Sequence, residues 1–242
     1  IAVMRDERLG HASAQRRAPG RLQGRVERVL IQHVHEAVVL RERQVGELAL
    51  GTALDKHMHA FEHVEALFGA GRQLTPESEL SQPGQFACHE QVTLVGPKGR
   101  VERVRVLGPA RRATQVEIAM TEQFKLGIHP PIRESGDLQG TPGCTVEGPA
   151  GSVRLEQGVI CALRHIHMTP EDALRYGVRD KSIVRVRIAG DRELVFGDVL
   201  VRVDPSFALA MHIDTDEGNA CFLDGATKVE LQKQDGGCGC KH

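Results

Sequence analysis

Apolar residues in this chain cluster in short runs broken by Gly and Pro, the pattern of strands joined by tight turns. The runs cover residues 91–95, 101–107, 114–119, 145–147, 152–155, 159–163, 183–188, 193–196, 199–203 and 208–213. Helical spacing interrupts them at 63–68 and at 170–176, and Val26, Leu30, Val34 and Val38 recur at a spacing that predicts an amphipathic helix over 26–40. The expected fold class is therefore mostly β, of barrel or sandwich type with short helices.

Composition sharpens the domain picture. Aromatics make up 3% of the 242 residues and Trp is absent, so Val, Leu, Ile and Ala must fill the core. Residues 1–50 contain no aromatic, no Cys and no Lys but repeated Arg, which marks an atypical, disordered or amphipathic extension. A first β region is expected over 51–150, a second over 151–227, and a flexible tail over 228–242. The formal net charge of −1 argues against a general nucleic-acid binder, whose affinity needs a basic surface. No run of 18 apolar residues occurs and the start lacks a signal-peptide core, so a soluble cytoplasmic protein without membrane association is expected. Cys88, Cys144, Cys161 and Cys221 are scattered as unpaired thiols would be, while Cys238, Cys240 and His242 form a weaker metal candidate in the tail.

The densest chemistry lies at Arg164-His165-Ile166-His167-Met168-Thr169-Pro170. On a strand, His165 and His167 project to one side. Thr169 as N-cap, Pro170 in the first turn, Glu171 and Asp172 at the positive end, and Gly177 as stop then define a helix. Such a pair of imidazoles at a strand end is a candidate half of a zinc site, although a single His-x-His also arises by chance and decides little alone. Lys56-His57-Met58-His59, followed by a short helix and Gly69, repeats the arrangement. His33 and His35, placed on a helix, would diverge and are read as surface residues.

Each copy also carries a later strand after a Pro, with Glu117 in one and His212 in the other at nearly equivalent places. Two half-barrels could gather His57, His59, Glu117, His165, His167 and His212 around one or two divalent metals. The plainer reading pairs Glu117 with Arg111 and leaves the histidines singly hydrogen-bonded. Arg111 is a candidate fork for phosphate or carboxylate, whereas Arg112 is expected in solvent. Phe124 stands among polar neighbours, either as a core residue or as a ring that stacks on a nucleotide base. Asp214 to Ala220 reads as a polar turn beside His212.

These residues, with Leu80-Ser81-Gln82-Pro83-Gly84-Gln85-Phe86, Val95-Gly96-Pro97-Lys98-Gly99, Leu107-Gly108-Pro109, Phe124-Lys125-Leu126-Gly127 and Met211 to Ala220, closely resemble the PduL-type phosphate propanoyltransferases of bacterial microcompartments. The resemblance runs from about Lys56 to Ala220. It implies two β-barrels with the active site between them and two zinc ions. His57 and His59 would hold one ion; Glu117, His165, His167 and His212 would hold the other. It further implies phosphate at Arg111, adenine stacking at Phe124, and coenzyme A contacts at Arg105, Leu107, His212 and Asn219. A homodimer, microcompartment shell proteins as partners, and a place in the microcompartment lumen are implied as well, with 26–40 as the packaging helix. The chain departs from the family in having Leu54-Asp55-Lys56 where Ser-Asn-Arg is usual, and in lacking a Lys near Ser78.

The expected reaction is acyl-CoA plus phosphate giving acyl phosphate plus coenzyme A, by direct attack of a held phosphate oxygen. The acyl group is propanoyl or acetyl. A zinc-dependent thioester or amide hydrolase, and a non-catalytic metal-stabilised microcompartment protein, are the competing expectations.

Overall fold

The computed structural model describes residues 26–27, 30–34, 37–41, 61–111, 113–223 and 228–233. In chain order the elements are β1 (Val26–Glu27), β2 (Leu30–Val34), β3 (Ala37–Arg41), α1 (Phe61–Phe68), β4 (Pro76–Glu79), β5 (Phe86–Val95), β6 (Arg100–Arg111), β7 (Gln115–Glu117), α2 (Glu122–Leu126), β8 (Ile132–Arg133), β9 (Thr145–Glu147) and β10 (Ser152–Arg154). There follow β11 (Val159–Ala162), β12 (His165–Met168), α3 (Pro170–Tyr176), β13 (Ile183–Ala189), β14 (Leu194–Val203), β15 (Ala210–Asp214), α4 (Thr215–Ala220) and β16 (Lys228–Lys233). The protein is mostly β with short helices, as its alternation predicts. Among the described strands both sheets are open, and neither closes into a barrel. No described helix is long and apolar enough to cross a membrane.

The chain divides into two compact units, with a boundary between Leu163 and Arg164. One unit holds the described residues up to His33, Arg164–Ile213 and those from Glu217 onward. Its seven-stranded sheet runs β1-β16-β13-β14-β12-β15-β2. Ile166, Met168, Val186, Ile188, Val199, Val201 and Met211 form its core, each 1% exposed or less. The other unit holds Val34–Leu163 and Asp214–Asp216. Its sheet runs β10-β9-β5-β6-β3-β7-β11-β8, with β4 on β5. Leu67, Leu94, Val106, Val116, Leu126, Val146 and Val159 pack inside it.

Two expectations for the ends of the chain are corrected. Residues 26–40 are not a helix but lie largely in strands β1, β2 and β3. A spacing of four satisfies a period of two as well as one of 3.6, and the valines at 26, 29, 34, 38 and 39 favour the extended backbone. Lys228–Lys233, expected as part of a flexible tail, instead pairs antiparallel with β13. A third correction concerns Asp214 to Ala220, expected as a turn, where Thr215–Ala220 is helix α4.

In each unit a hairpin carries the same irregularity. Between Val92↔Val104 and Leu94↔Val101 the β5–β6 ladder slips, and Arg103 in the longer strand has φ 59°. Between Val184↔Val199 and Val186↔Phe196 the β13–β14 ladder slips, and Asp198 has φ 50°. Two residues facing one is a β-bulge, which bends and twists the strand.

Candidate metal centre

Strand β12 turns abruptly because the following helix is strongly specified. Thr169 Oγ1 accepts the Asp172 N–H at 3.1 Å, and the Asp172 carboxylate accepts the Thr169 N–H at 3.2 Å, a reciprocal capping box. Pro170 opens the helix and Gly177, at φ 63°, closes it. Strand alternation sends Ile166 and Met168 into the core, leaving His165 and His167 together on the opposite face, 8% and 7% exposed. Antiparallel β15 brings His212 opposite His165 and the small Ala210 opposite His167.

The three rings converge. Centroids of His165 and His167 are 4.6 Å apart, His165 and His212 4.9 Å, and His167 and His212 4.8 Å. One ring nitrogen from each lies within 4.8 Å of the others. Tetrahedral zinc with its usual bond lengths places imidazole nitrogens about 3.3 Å apart, so small ring rotations would close the set on one ion. Burial, then the neighbouring His165, His167 and Arg202, push the His212 pKa down to about 2. The imidazole stays neutral, with a lone pair for a cation. Three imidazoles converging in this way fit a divalent ion and leave a fourth position for another ligand.

Around the cluster, Arg164 is committed to structure. Its Nε donates to the Gly197 carbonyl at 2.9 Å, its Nη1 to Glu217 at 2.5 Å, and its guanidinium lies 5.4 Å from the Phe196 ring centroid. Phe207 packs on His167 with centroids 4.1 Å apart.

The remaining sequence candidates of the other unit fall as follows. Glu117, half-buried at the end of β7, receives a 2.5 Å hydrogen bond from Gln115 Nε2, which also donates to Ser135 Oγ at 2.8 Å. The Gln115 carbonyl accepts the Gly136 N–H at 2.7 Å, so this 4% exposed side chain orients the carboxylate. Gln115 was not singled out by sequence, although a Gln two residues from an acid on one strand face is a readable signal. Arg111 is exposed at the end of β6, and among the described residues no ion pair joins it to Glu117. Arg105 pairs with Glu77 and donates to the Cys88 carbonyl at 3.1 Å. Leu107, half-buried, pairs in register with Ala87. His57 and His59 lie outside the described residues.

Phe124 is not a core residue: it is 70% exposed on α2, a helix sequence did not foresee because only Leu126 of its five residues is buried. The helix is short but well held. Asp216 accepts both the N–H and the hydroxyl of Thr121 at 2.8 Å, and Gly127 ends the helix at φ 73°. The β5–β6 turn supports it from beneath, with the Lys98 N–H donating to the Leu126 carbonyl at 3.1 Å. In the first unit, Asn219 is exposed on α4.

Cys88 and Cys144 are poor nucleophiles, since burial pushes their thiols up to about 12 and about 11. Cys161 points its thiol at the Asp214 carboxylate, 3.6 Å away.

The family model described as Phosphate propanoyltransferase matches residues 52–224. A Phosphate propanoyltransferase of Thermotoga maritima is 53% identical over 204 residues, covering 84% of this chain and 96% of the relative. One of Enterococcus faecalis is 52% identical, covering 80% and 92%, and one of Priestia megaterium is 56% identical, covering 69% and 78%.

Proposed function

The chain belongs to the phosphate propanoyltransferase family and is an acyltransferase, and from that premise we propose that it moves a propanoyl group between coenzyme A and inorganic phosphate at a metal held by His165, His167 and His212. The three-histidine cluster, with His165 and His167 buried and His212 half-buried, carries this reading. When bound there, a divalent ion would supply Lewis acidity for a thioester carbonyl or a phosphate oxygen. The chain's own residues divide the remaining work. On the resemblance described above, the Arg111 guanidinium grips phosphate, one oxygen of which attacks the acyl carbon. A bond from that oxygen forms as the carbon–sulfur bond breaks, and coenzyme A departs as the thiolate. Phe124 supplies an exposed ring for the adenine. The raised thiols of Cys88 and Cys144 favour direct transfer over an acyl-enzyme on either. Glu117, His57 and His59 as further ligands, zinc as the metal, a second ion, and Arg105, Leu107, His212 and Asn219 as coenzyme A contacts rest on the resemblance described above.

A duplicated architecture is part of the proposal, and strand registers support it. β12 lies parallel to β14 and antiparallel to β15, with His165 opposite Leu200 and His212. β3 lies parallel to β6 and antiparallel to β7, with Ala37 opposite Arg105 and Glu117. Arg103 and Asp198, Arg105 and Leu200, and Glu117 and His212 are each 95 positions apart. Glu117 thus stands at the counterpart of His212. In register, Ala37 and Val39 of β3 occupy the positions that His165 and His167 occupy in β12. Packaging into a microcompartment loses its expected helix, since 26–40 lies largely in strands.

Arg111→Gln tests the phosphate role. The KM for phosphate should rise about tenfold or more, while the KM for propanoyl-CoA stays within about twofold. Thiol release that proceeds equally without phosphate would instead favour a hydrolase.

A further inference from the structure

Arg202 sits on β14 directly opposite His167 in the parallel β12–β14 register, so its side chain leaves the sheet on the face that carries the histidines. The guanidinium lies 5.9 Å from the centroid of the Phe207 ring, and the same ring packs on His167. Phe207 therefore spans from an arginine to a candidate metal ligand. Among the described residues no carboxylate neutralises Arg202. Asp204, two positions on, is committed to Ser206, whose N–H and hydroxyl it accepts at 2.8 and 2.5 Å. Asp180 accepts the Val203 N–H at 2.9 Å. A half-buried arginine held over an aromatic ring, with no counter-ion among the described residues, is suited to bind an anion. A divalent ion on the cluster would add two positive charges to it. Even after one carboxylate ligand such as the proposed Glu117, two would remain, the complement of a phosphate dianion.

We infer that Arg202 binds the oxyanion of inorganic phosphate or of the acyl phosphate at the three-histidine cluster, with Phe207 as the positioning residue that fixes the guanidinium. The inference rests on the phosphotransacylase reading and adds to it a second phosphate contact, besides Arg111. It also gives a reason for a charged residue inside the apolar run Val199-Leu200-Val201-Arg202-Val203.

The test uses full-length metal-loaded protein carrying Arg202→Gln, Arg202→Lys or Phe207→Leu. KM values for phosphate, propanoyl-CoA and propanoyl phosphate are measured, together with metal content and the rise in Tm on adding inorganic phosphate. Arg202→Gln should raise the KM for phosphate and for propanoyl phosphate about tenfold or more and abolish the phosphate-dependent rise in Tm. Metal content and the KM for propanoyl-CoA should stay within about twofold. Lysine should recover part of the effect, since it keeps the charge but not the fork. An unchanged phosphate KM with an unchanged Tm response overturns the inference. So does a penalty seen with propanoyl-CoA but absent with propanoyl-pantetheine, which would assign the guanidinium to the phosphates of coenzyme A. Should Arg202→Gln fail to fold, an unchanged phosphate KM in both other variants overturns it equally. Failure of the underlying reading looks different: the wild-type protein itself would release coenzyme A at the same rate without phosphate.

Discussion

Replacing His167 with Ala should strip the protein of its metal and lower phosphate-dependent coenzyme A release by at least ~10²-fold, since even outer-shell changes at metal sites cost ten- to a hundredfold. His167 is the cluster member most enclosed by aromatic neighbours, with His165 at 4.6 Å, His212 at 4.8 Å and Phe207 at 4.1 Å between centroids. Alanine removes one of three nitrogen donors and leaves a space the size of the ring. The cost to folding should be modest, about 1–3 kcal/mol, because the loss of packing is offset by no longer burying a polar ring. The informative result is the separation: a folded protein, by circular dichroism and thermal melting, with reduced metal content and reduced rate. Full activity in a metal-depleted His167→Ala protein would remove the cluster from the chemistry.

The second large effect is expected at a residue that touches no proposed ligand itself. Gly96 lies in the β5–β6 turn beneath α2, and a Cβ there would stand 2.2 Å from the Leu126 carbonyl oxygen and 2.8 Å from its carbon. Backbone cannot give way as a side-chain tip can. Gly96→Ala must push the end of α2 outward, at about 1–3 kcal/mol of overpacking, and move Phe124 with it. The KM for propanoyl-CoA should rise about tenfold, approaching that of Phe124→Ala, because base stacking contributes about 1–3 kcal/mol per ring. The KM for phosphate should not follow. If Phe124→Ala raises the coenzyme A KM and Gly96→Ala leaves it at the wild-type value, the turn does not set the ring's position.

What could be read from sequence divides along local and non-local lines. The strand–cap–helix unit from His165 to Gly177 was legible because every determinant sits within fifteen residues: alternation, Thr169, Pro170, Asp172 and Gly177. The meeting of His212 with His165 depends on a strand register more than forty residues away, which no local pattern encodes; its place after a Pro, matching Glu117, and the family resemblance were the pointers. Residues 26–40 misled because apolar residues at intervals of four, Val26, Leu30, Val34 and Val38, obey both periods. Helices α2 and α4 were missed since each buries a single residue, Leu126 and Gly218, too little for an apolar stripe. Phe124 illustrates the reverse case, where scarcity of aromatics and polar neighbours marked a ring that is indeed exposed. Arg202 and Phe207 escaped notice because their relation to His167 is made by pairing between β12 and β14 and by the return of the chain after β14.

In the proposed function, the three-histidine cluster holds a metal required for acyl transfer to phosphate. Release of coenzyme A from propanoyl-CoA, followed with and without inorganic phosphate on metal-loaded and on chelator-treated protein, tests it most directly. Release is expected only when metal and phosphate are both present, with propanoyl phosphate formed in equal amount. Release that persists after chelation, or that proceeds at the same rate without phosphate, would contradict it.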